Sequence, residues 1–201
     1  MKLSVLILSI PERLRLLECL LDNLHKQISD DLKNEVEILV LIDNKIRSIA
    51  QKRNNLLQLA NGDYVCFLDD DDSVNQQFIP QVLKATIKNP DCVTFKQRCS
   101  INGKRLNVTF GLGNPHGELS LNEKGHYKDI LRPPYHMCAF RRKLAQKVHF
   151  KDVFSQNGQS IEDFDWLKRL YPTLNTEIHL PVYLHYYNYD STTTASVRRE
   201  Q

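Results

Sequence analysis

Residues 64–72 read Tyr-Val-Cys-Phe-Leu-Asp-Asp-Asp-Asp, an apolar run that ends abruptly in four consecutive aspartates. The β-branched and aromatic residues at 64–68 predict a buried strand. Four carboxylates at its end would repel one another unless cations lie among them, and oxygen ligands suit Mg²⁺ or Mn²⁺. Open α/β sheets bind ligands beyond the carboxyl ends of strands, so we expect a metal site here. The alternative is a solvated acidic turn in which Asp72 or Ser73 caps the next helix.

Two further apolar runs precede this one, at residues 3–8 and 36–42, and each predicts a strand. Residues 14–28 between them carry leucines at three- and four-residue steps, which predicts an amphipathic helix. A second helix is expected at 46–60. Uninterrupted apolar strands joined by helices indicate a parallel, doubly wound sheet. Ser9 and Glu12 have the spacing of a capping box at the start of the first helix.

The second half of the chain has a mixed pattern. A third helix is expected at 76–88, and an antiparallel pair of strands at 92–98 and 106–110, joined by the turn signal Asn102-Gly103. The remaining expectations are a loop at 111–125, a strand at 135–140, a basic helix at 141–148, a helix at 161–171, and strands at 177–180 and 182–189.

The composition is that of a soluble globular protein, with 41% hydrophobic and 25% charged residues in 201. No apolar run approaches the roughly 18 residues of a membrane span, and residues 3–10 lack the cleavage site of a signal peptide. The five cysteines form no C-x-x-C pair, and their odd number argues against a disulfide framework. We therefore expect a cytoplasmic protein in a reducing compartment.

Positive charge is concentrated in the middle of the chain. Residues 84–151 contain 14 Lys and Arg but 4 Asp and Glu, although the net charge of the chain is only +3. Such asymmetry indicates an anionic partner on the basic side, and scattered solvated lysines are the equally weighted alternative.

Five motifs occur in a defined order along the chain. They are Ser9-Ile10-Pro11-Glu12-Arg13, Asp43 after the second strand, Lys52-Arg53-Asn54, Ala60-Asn61-Gly62-Asp63-Tyr64 leading into Asp69-Asp70-Asp71-Asp72, and Ile161-Glu162-Asp163. In this order they resemble the GT-A glycosyltransferases, specifically the inverting family-2-like enzymes. The resemblance is dense over residues 1–73 and returns around 135–190.

The resemblance implies a GT-A fold of the α/β class: a Rossmann-like, mostly parallel sheet flanked by helices, with a smaller antiparallel acceptor-side region. A single domain is expected to span residues 1–201. Within it, residues 1–90 would form the nucleotide-sugar-binding half, residues 91–190 the acceptor-binding half, and residues 191–201 a tail.

The resemblance also implies a nucleotide-sugar donor and a divalent metal, Mn²⁺ or Mg²⁺. The Asp-x-Asp motif of the family maps onto Asp69, near the ribose, and Asp71, on the metal, although four aspartates leave open which two form the working pair. His185 in the last strand is expected to join the metal, with a histidine satisfied by a neighbour as the alternative. The expected donor-binding residues are Ser9, Pro11, Arg13, Asp43, Arg53, Asp69 and Asp70, with Asp43 on the base and Arg53 either on the phosphates or orienting the aspartates.

For catalysis, the resemblance assigns the general base to the Glu162-Asp163 pair. We expect Asp163 to take the proton of the acceptor hydroxyl, with Glu162 and Asp165 as fallbacks. The alternative is that these acids simply favour the positive end of a helix. Trp166 is either a sugar platform or a core residue.

The sequence thus predicts an inverting, metal-dependent glycosyltransferase that moves a hexosyl or pentosyl group, expected to come from a UDP-sugar, to a hydroxyl acceptor. The basic middle fits an anionic acceptor, such as hydroxymethylated DNA or a phosphate-bearing glycan. One alternative is a nucleotide-sugar- or metal-binding module without catalysis. A nucleotidyltransferase is less favoured, because Leu8-Ser9-Ile10-Pro11 lacks the glycines of a phosphate-binding loop.

Overall fold

Three parallel strands begin the sheet, as their continuous apolar sequences predict. In the computed structural model, which describes residues 1–189, β1 (Leu3–Ser9) lies between β2 (Val36–Ile42) and β3 (Tyr64–Asp69) and pairs in parallel with both. All seven residues of β1 are buried. The carboxyl ends of all three strands therefore meet at one edge of the sheet. The expected tail at 191–201 lies outside the described residues.

The first helix, α1 (Leu14–His25), follows a 3-10 turn at Pro11–Arg13. No side-chain hydrogen bond caps either element, so the capping box predicted for Ser9 and Glu12 is wrong. Ser9 is the last residue of β1, and its hydroxyl instead donates to Asp70 in the acidic loop, the run Asp69–Asp72 at the end of β3. The Ser9 hydroxyl thus makes a long-range hydrogen bond to Asp70 in place of the local helix cap that the spacing predicted.

The second helix, α2 (Ile49–Leu59), begins three residues later than predicted. Its capping box is formed by Ser48 and Gln51, each bonded to the backbone of the other. Two cationic residues of this helix, Lys52 and Arg53, are buried along with its apolar face. The third helix, α3, runs over Phe78–Thr86 within its predicted span.

The second half adds an antiparallel hairpin, as predicted. Strand β5 (Cys92–Ile101) pairs with β6 (Lys104–Phe110), and the turn residues Asn102 and Gly103 have φ angles of 47° and 78°. Both angles fall in the left-handed region, which Asn and Gly tolerate best.

The other strands differ from the predictions. Of the strand expected at 135–140, only residues 139–140 are extended, as part of β8 (Ala139–Arg141). This strand pairs antiparallel with β3 and β5 and so joins the two halves. The two C-terminal strands are one, β9 (Glu177–Tyr189), which runs parallel to β5 with register shifts. These irregularities accommodate Pro181, which cannot donate to a ladder. Two short strands were not predicted: β4 (Ser73–Val74) and β7 (Ile130–Arg132).

The strand order is β2-β1-β3-β8-β5-β6-β7, and β9 pairs with both β4 and β5. Most of the paired residues lie in parallel ladders. This arrangement confirms the predicted Rossmann-like, mostly parallel sheet with a smaller antiparallel region. The basic helix is reduced to α4 (Arg142–Ala145), and α5 covers Glu162–Leu170. No helix in the described part of the chain is long and apolar enough to span a bilayer.

An aromatic cluster anchors α5 to the sheet. The Trp166 ring stacks on Phe150 at 4.5 Å and meets Phe67 and Phe140 edge-on. Its indole Nε1 donates to the Val148 carbonyl at 2.8 Å, and the residue has no solvent exposure. Of the two roles open for Trp166, the structure favours core packing.

A carboxylate on β2 closes the turn between α2 and β3. Glu37 accepts hydrogen bonds from the Ser4 hydroxyl at 2.6 Å and from the backbone N–H groups of Asn61 and Gly62 at 2.6 and 3.3 Å. A Cβ on Gly62 would lie 2.6 Å from the Ser4 nitrogen, so the approach requires glycine. Burial raises the pKa of Glu37, but these hydrogen bonds outweigh it and the net pKa is lowered.

We predict that Glu37→Gln lowers the free energy of unfolding by about 1 kcal/mol at pH 7, since hydrogen bonds to a charged acceptor are lost. The pKa of Glu37 is lower in the folded than in the unfolded protein. Its contribution is therefore present above the unfolded value of about 4.3 and disappears as the pH falls below it. Urea titrations at pH 7 and pH 3 measure the difference. Glu18→Gln, at an exposed position on α1, is the control, and an equal loss at both pH values would contradict the prediction.

Candidate active site

The acidic loop after β3 is surrounded by cationic and imidazole side chains from distant parts of the chain. They are Arg13, Arg53, His136 and His185. Each comes from a different element, and together they contact all four aspartates. These side chains thus supply part of the positive charge that offsets the repulsion among the four carboxylates.

Asp70 binds the first strand-to-helix turn. Its carboxylate accepts from the Ser9 hydroxyl at 2.7 Å and lies 3.0 Å from Arg13 Nη1, with 3% of the side chain exposed. The same guanidinium contacts Asp71, whose side chain is 46% exposed. Burial raises the pKa of Asp70 to about 6, with Asp71 and Asp69 adding to the rise and Ser9 and Arg13 opposing it. Of the predicted donor residues, Ser9, Arg13 and Asp70 are therefore brought together.

Asp43 lies behind this turn. Its side chain is 8% exposed, and it accepts from the backbone N–H groups of Lys45 and Arg47 at 3.1 and 3.2 Å. Lys52 Nζ lies 3.3 Å from the Asp43 carboxylate and donates to the Ser9 carbonyl at 3.2 Å. Lys52 thus links the ends of β1 and β2. Pro11, also predicted to bind the donor, starts the exposed 3-10 turn nearby.

Arg53 is almost wholly buried and joins two carboxylates. Its Nη2 lies 3.2 Å from Asp69 Oδ1, and its Nε lies 3.2 Å from Glu162 Oε1. The guanidinium also packs over the Phe67 ring, 5.2 Å from its centroid. Nη1 has no hydrogen-bond partner in the described residues. Of the two roles expected for Arg53, this geometry favours orienting the aspartates over exposed contact with a phosphate.

His136 bridges the acidic loop to α5, a role that the sequence analysis missed. Its Nε2 lies 3.6 Å from Asp69 Oδ2 and its Nδ1 lies 3.2 Å from Asp163 Oδ2. Burial lowers its pKa, as does Arg53, but the two carboxylates outweigh them and raise it to about 9. The sequence signal was weak: a histidine shortly after Pro133-Pro134, in a segment predicted to be a strand.

The three acids at the start of α5 have different surroundings. Asp163 is 19% exposed and faces His136, which lowers the pKa of the carboxyl against the effect of burial. Glu162 is 5% exposed and is occupied by Arg53 and the Ser160 hydroxyl. Asp165 pairs with Arg169 one turn further along the helix, at 2.6 Å. Of the three, Asp163 alone contacts His136, which links it to Asp69, and 19% of its side chain is exposed.

A cluster suited to a metal lies between these elements. Oxygen atoms of Asp69 and Asp72 and a ring nitrogen of His136 all lie within 4.8 Å of one another. Both ring nitrogens of His136 are buried without an aligned hydrogen bond among the described residues. Mg²⁺ and Mn²⁺ prefer carboxylate oxygens as ligands. Because the cluster offers two carboxylates, it fits such an ion.

The predicted ligands Asp71 and His185 lie outside this cluster. Asp71 is turned toward Arg13. His185 has no solvent exposure; its Nε2 lies 3.0 Å from Asp72 Oδ2, and its Nδ1 lies 2.9 Å from Gln97 Nε2. His185 thus supports Asp72 from behind, as in the alternative of a histidine satisfied by neighbours.

Comparison with known proteins points to one family. A model of the family described as "Glycosyl transferase family 2" matches residues 19–149. No curated protein gives a significant match to the chain.

Two solved structures illustrate the shared fold. The S. aureus protein TarS (residues 1–349), in complex with UDP-GlcNAc, superposes with a TM-score of 0.68 at 19% identity, over 95% of this chain and 59% of that one. The mannosyltransferase PcManGT from Pyrobaculum calidifontis, in complex with GDP-Man and Mn²⁺, gives a TM-score of 0.55 at 12% identity, over 92% and 56%. The chain thus spans somewhat less than three-fifths of each of these proteins.

We predict that Arg53→Leu lowers the free energy of unfolding by about 3–5 kcal/mol, because Glu162 is left as an uncompensated buried charge. Urea denaturation of the metal-free protein measures the loss. Arg15→Leu, at an exposed position on α1, is the matched control and should change stability by less than about 0.5 kcal/mol.

The double variant Arg53→Leu/Glu162→Leu separates charge from packing. Removing both charges should restore at least half of the stability lost in the single variant. If the double variant is as unstable as the sum of the two single variants, the pair does not interact as described.

Proposed function

Because the chain belongs to glycosyl transferase family 2 and has its GT-A fold, we propose that it is an inverting, metal-dependent glycosyltransferase. The donor would be a nucleotide sugar, with a UDP-sugar as the first candidate, and the acceptor a hydroxyl group. The observation that carries the proposal is the bridge from Asp69 through His136 to Asp163. The partly exposed Asp163 carboxylate is thereby linked to Asp69, the first residue of the run that we equate with the family's Asp-x-Asp motif.

The donor's nucleoside end is assigned to the carboxyl ends of β1 and β2. Ser9, Pro11 and Arg13 form the turn after β1, and Asp43 follows β2, which is where open α/β sheets bind nucleotides. Asp43 would accept from the base, and Lys52 holds it in place. TarS and PcManGT were solved with UDP-GlcNAc and GDP-Man; a nucleotide-sugar donor is carried to this chain as part of the proposal.

Asp69 and Asp72 would hold the divalent ion, and His136 would join them once its imidazole has lost its proton; Asp71 lies at the exposed rim, and His185 fixes Asp72. When bound, such an ion supplies a Lewis acid that neutralises the nucleoside diphosphate leaving group. Arg53 orients the Asp69 carboxylate through a buried contact, so this side chain does not have to be ordered when the donor arrives. Arg13 could change partners from Asp71 to a donor phosphate, since its guanidinium is partly exposed.

Asp163 would act as general base. Its carboxyl has a lowered pKa, so it is ionised at neutral pH and can accept the proton of the acceptor hydroxyl at Oδ1 or Oδ2. Both carboxylates have partners inside the protein: Asp163 accepts from the Phe164 N–H at 2.7 Å and faces His136, and Glu162 is bonded to Arg53 and Ser160. Glu162 is less suited to the role, because only 5% of its side chain is exposed, against 19% for Asp163. A single base of this kind corresponds to direct displacement from the face opposite the leaving group, which inverts the anomeric carbon.

The acceptor is proposed to be anionic, such as hydroxymethylated DNA or a phosphate-bearing glycan. The basic segment 84–151 supplies the charge, and binding through phosphates should weaken strongly between about 50 and 200 mM salt. The proposal also places the enzyme in the reducing cytoplasm. The five cysteines are unpaired, and four of them are buried.

We predict that turnover of the donor requires a divalent metal. Asp69→Asn and Asp72→Asn should each weaken Mn²⁺ binding at least about tenfold, since each removes one anionic ligand. Titration of the free protein with Mn²⁺, followed by electron paramagnetic resonance, measures the affinity without relying on activity. Asp152→Asn, at an exposed position far along the chain, is the matched control. Hydrolysis of any nucleotide sugar at the full rate in EDTA would refute the metal requirement.

We predict that Asp163→Asn lowers kcat by about 10²–10⁴-fold, as expected for loss of a general base. Donor affinity should change less than about threefold, because the carboxylate faces the acceptor side. Steady-state kinetics with a screened donor and acceptor, and NMR of the product anomer, give both readouts. If Asp165→Asn abolishes turnover and Asp163→Asn does not, the base has been misassigned. If neither variant affects turnover, catalysis does not use this helix.

A further inference from the structure

Arg132, at the end of β7, is a half-buried cation without an acidic partner. Within residues 1–189, no carboxylate lies within 4.0 Å of its guanidinium. It faces His116 instead: Nη1 lies 3.2 Å from His116 Nδ1 and also contacts Nε2. Burial lowers the pKa of Arg132, and burial together with the neighbouring guanidinium lowers the pKa of His116. A partly buried guanidinium without a counter-charge gains free energy when an anion binds it.

The contact between the two residues is set by close backbone packing. Gly117 donates to the Leu131 carbonyl at 2.9 Å. A Cβ at Gly117 would lie 2.8 Å from that oxygen, so a larger residue could not approach as closely. The loop after β6 is therefore fastened to β7 at the position that brings His116 to Arg132.

Aromatic side chains connect this pair to the helix turn that carries the proposed base. The His116 ring meets the Phe164 ring edge-on at 5.3 Å, and Phe164 directly follows Asp163. On the other side, Tyr135 stacks on Phe110, the residue opposite Arg132 in the β6–β7 register. Phe164 is 41% exposed, so solvent reaches this corner.

Two cations of the neighbouring part of the sheet, Lys96 and Arg98 on β5, lie elsewhere. Side chains alternate along a strand: Gln97 and Cys99 turn toward His185, while Lys96 and Arg98 point to the opposite face. There they pack over Tyr183, with the Arg98 guanidinium 4.6 Å from the ring centroid. Arg98 is exposed. Its substitution therefore controls for the loss of one positive charge at a site away from Arg132.

We propose that Arg132 and His116 form an anion subsite beside Asp163, which binds a phosphate or carboxylate group of the acceptor. The guanidinium fork offers two parallel N–H donors to such a group, and the imidazole adds one more. The inference rests on the proposed function for the identity of the ligand as an acceptor, and it narrows the acceptor to a molecule whose anionic group lies close to the reacting hydroxyl.

The test uses the full chain and two probes, inorganic phosphate and acetate, at constant ionic strength. Amide resonances of Gly117 and Leu131 report binding at this corner. Arg132→Gln should weaken binding of the preferred probe about tenfold, corresponding to loss of a charge-assisted contact, whereas Arg98→Gln should change it less than twofold. Tighter binding of phosphate supports a phosphate-bearing acceptor, and tighter binding of acetate a carboxylate-bearing one.

His116→Gln guards against a folding defect in the arginine variant, since His116 is exposed. It should weaken binding of the same probe about threefold, the effect expected for one lost hydrogen bond. Equal losses in Arg132→Gln and Arg98→Gln would reduce the effect to overall charge and overturn the subsite. Absence of any shift at Gly117 and Leu131 would overturn it as well.

A parallel screen of donor hydrolysis separates this inference from the function on which it rests. Donor hydrolysis with no anion binding at Arg132 would refute the subsite and leave the glycosyltransferase proposal standing. Anion binding that depends on Arg132, without hydrolysis or transfer from any nucleotide sugar, would refute the proposed function and leave the anion site established.

Discussion

The buried guanidinium of Arg53 is the contact on which the geometry of the site depends. This guanidinium pairs with two carboxylates, that of Asp69 at the end of β3 and that of Glu162 at the start of α5. An ion taken out of water costs several kcal/mol unless it is paired, so loop and helix cannot separate without exposing or orphaning a charge. The separation between Asp69 and the start of α5, where Asp163 lies, is thereby constrained.

The same reasoning explains why four adjacent aspartates are compatible with a folded loop. Asp70 and Asp71 share Arg13, Asp69 contacts Arg53 and His136, and Asp72 is backed by His185. The carboxylates are not equivalent, because burial raises the pKa of Asp70 to about 6 while Arg53 and His136 hold that of Asp69 below its usual range, against the effect of burial. A run that looks uniform in sequence is thus divided by its surroundings. Asp70 anchors the first turn and Asp72 is buried against His185, whereas the side chains of Asp69 and Asp71 are partly exposed.

The sequence predicts those parts of this arrangement that depend on residues close together along the chain. Strands β1 to β3 are continuous apolar runs, and the hairpin at Asn102 has its own turn chemistry. The parts that it misses depend on contacts between distant segments. The Ser9 hydroxyl was assigned to a helix cap but binds Asp70, 61 residues away. His136 sits in a turn where its carbonyl accepts from Phe67 of β3, a contact that no local periodicity encodes. The assignment of Asp163 came from the resemblance to a family, and local pattern alone would have favoured a helix-dipole role.

Charge in the middle of the chain shows the limit of counting residues along a sequence. The excess of Lys and Arg at 84–151 is real, yet strand alternation sends Lys96 and Arg98 to the face away from the acidic loop. Arg132 is one cation among many in the count, but it is half-buried, lacks an acidic partner in the described chain and lies next to the aromatic rings that flank Asp163. An exposed lysine without a partner costs little free energy. An arginine that is partly removed from water without an acidic partner costs more. Burial without compensation, more than the number of charges, is therefore what singles out the position where an anionic substrate group would gain most from binding.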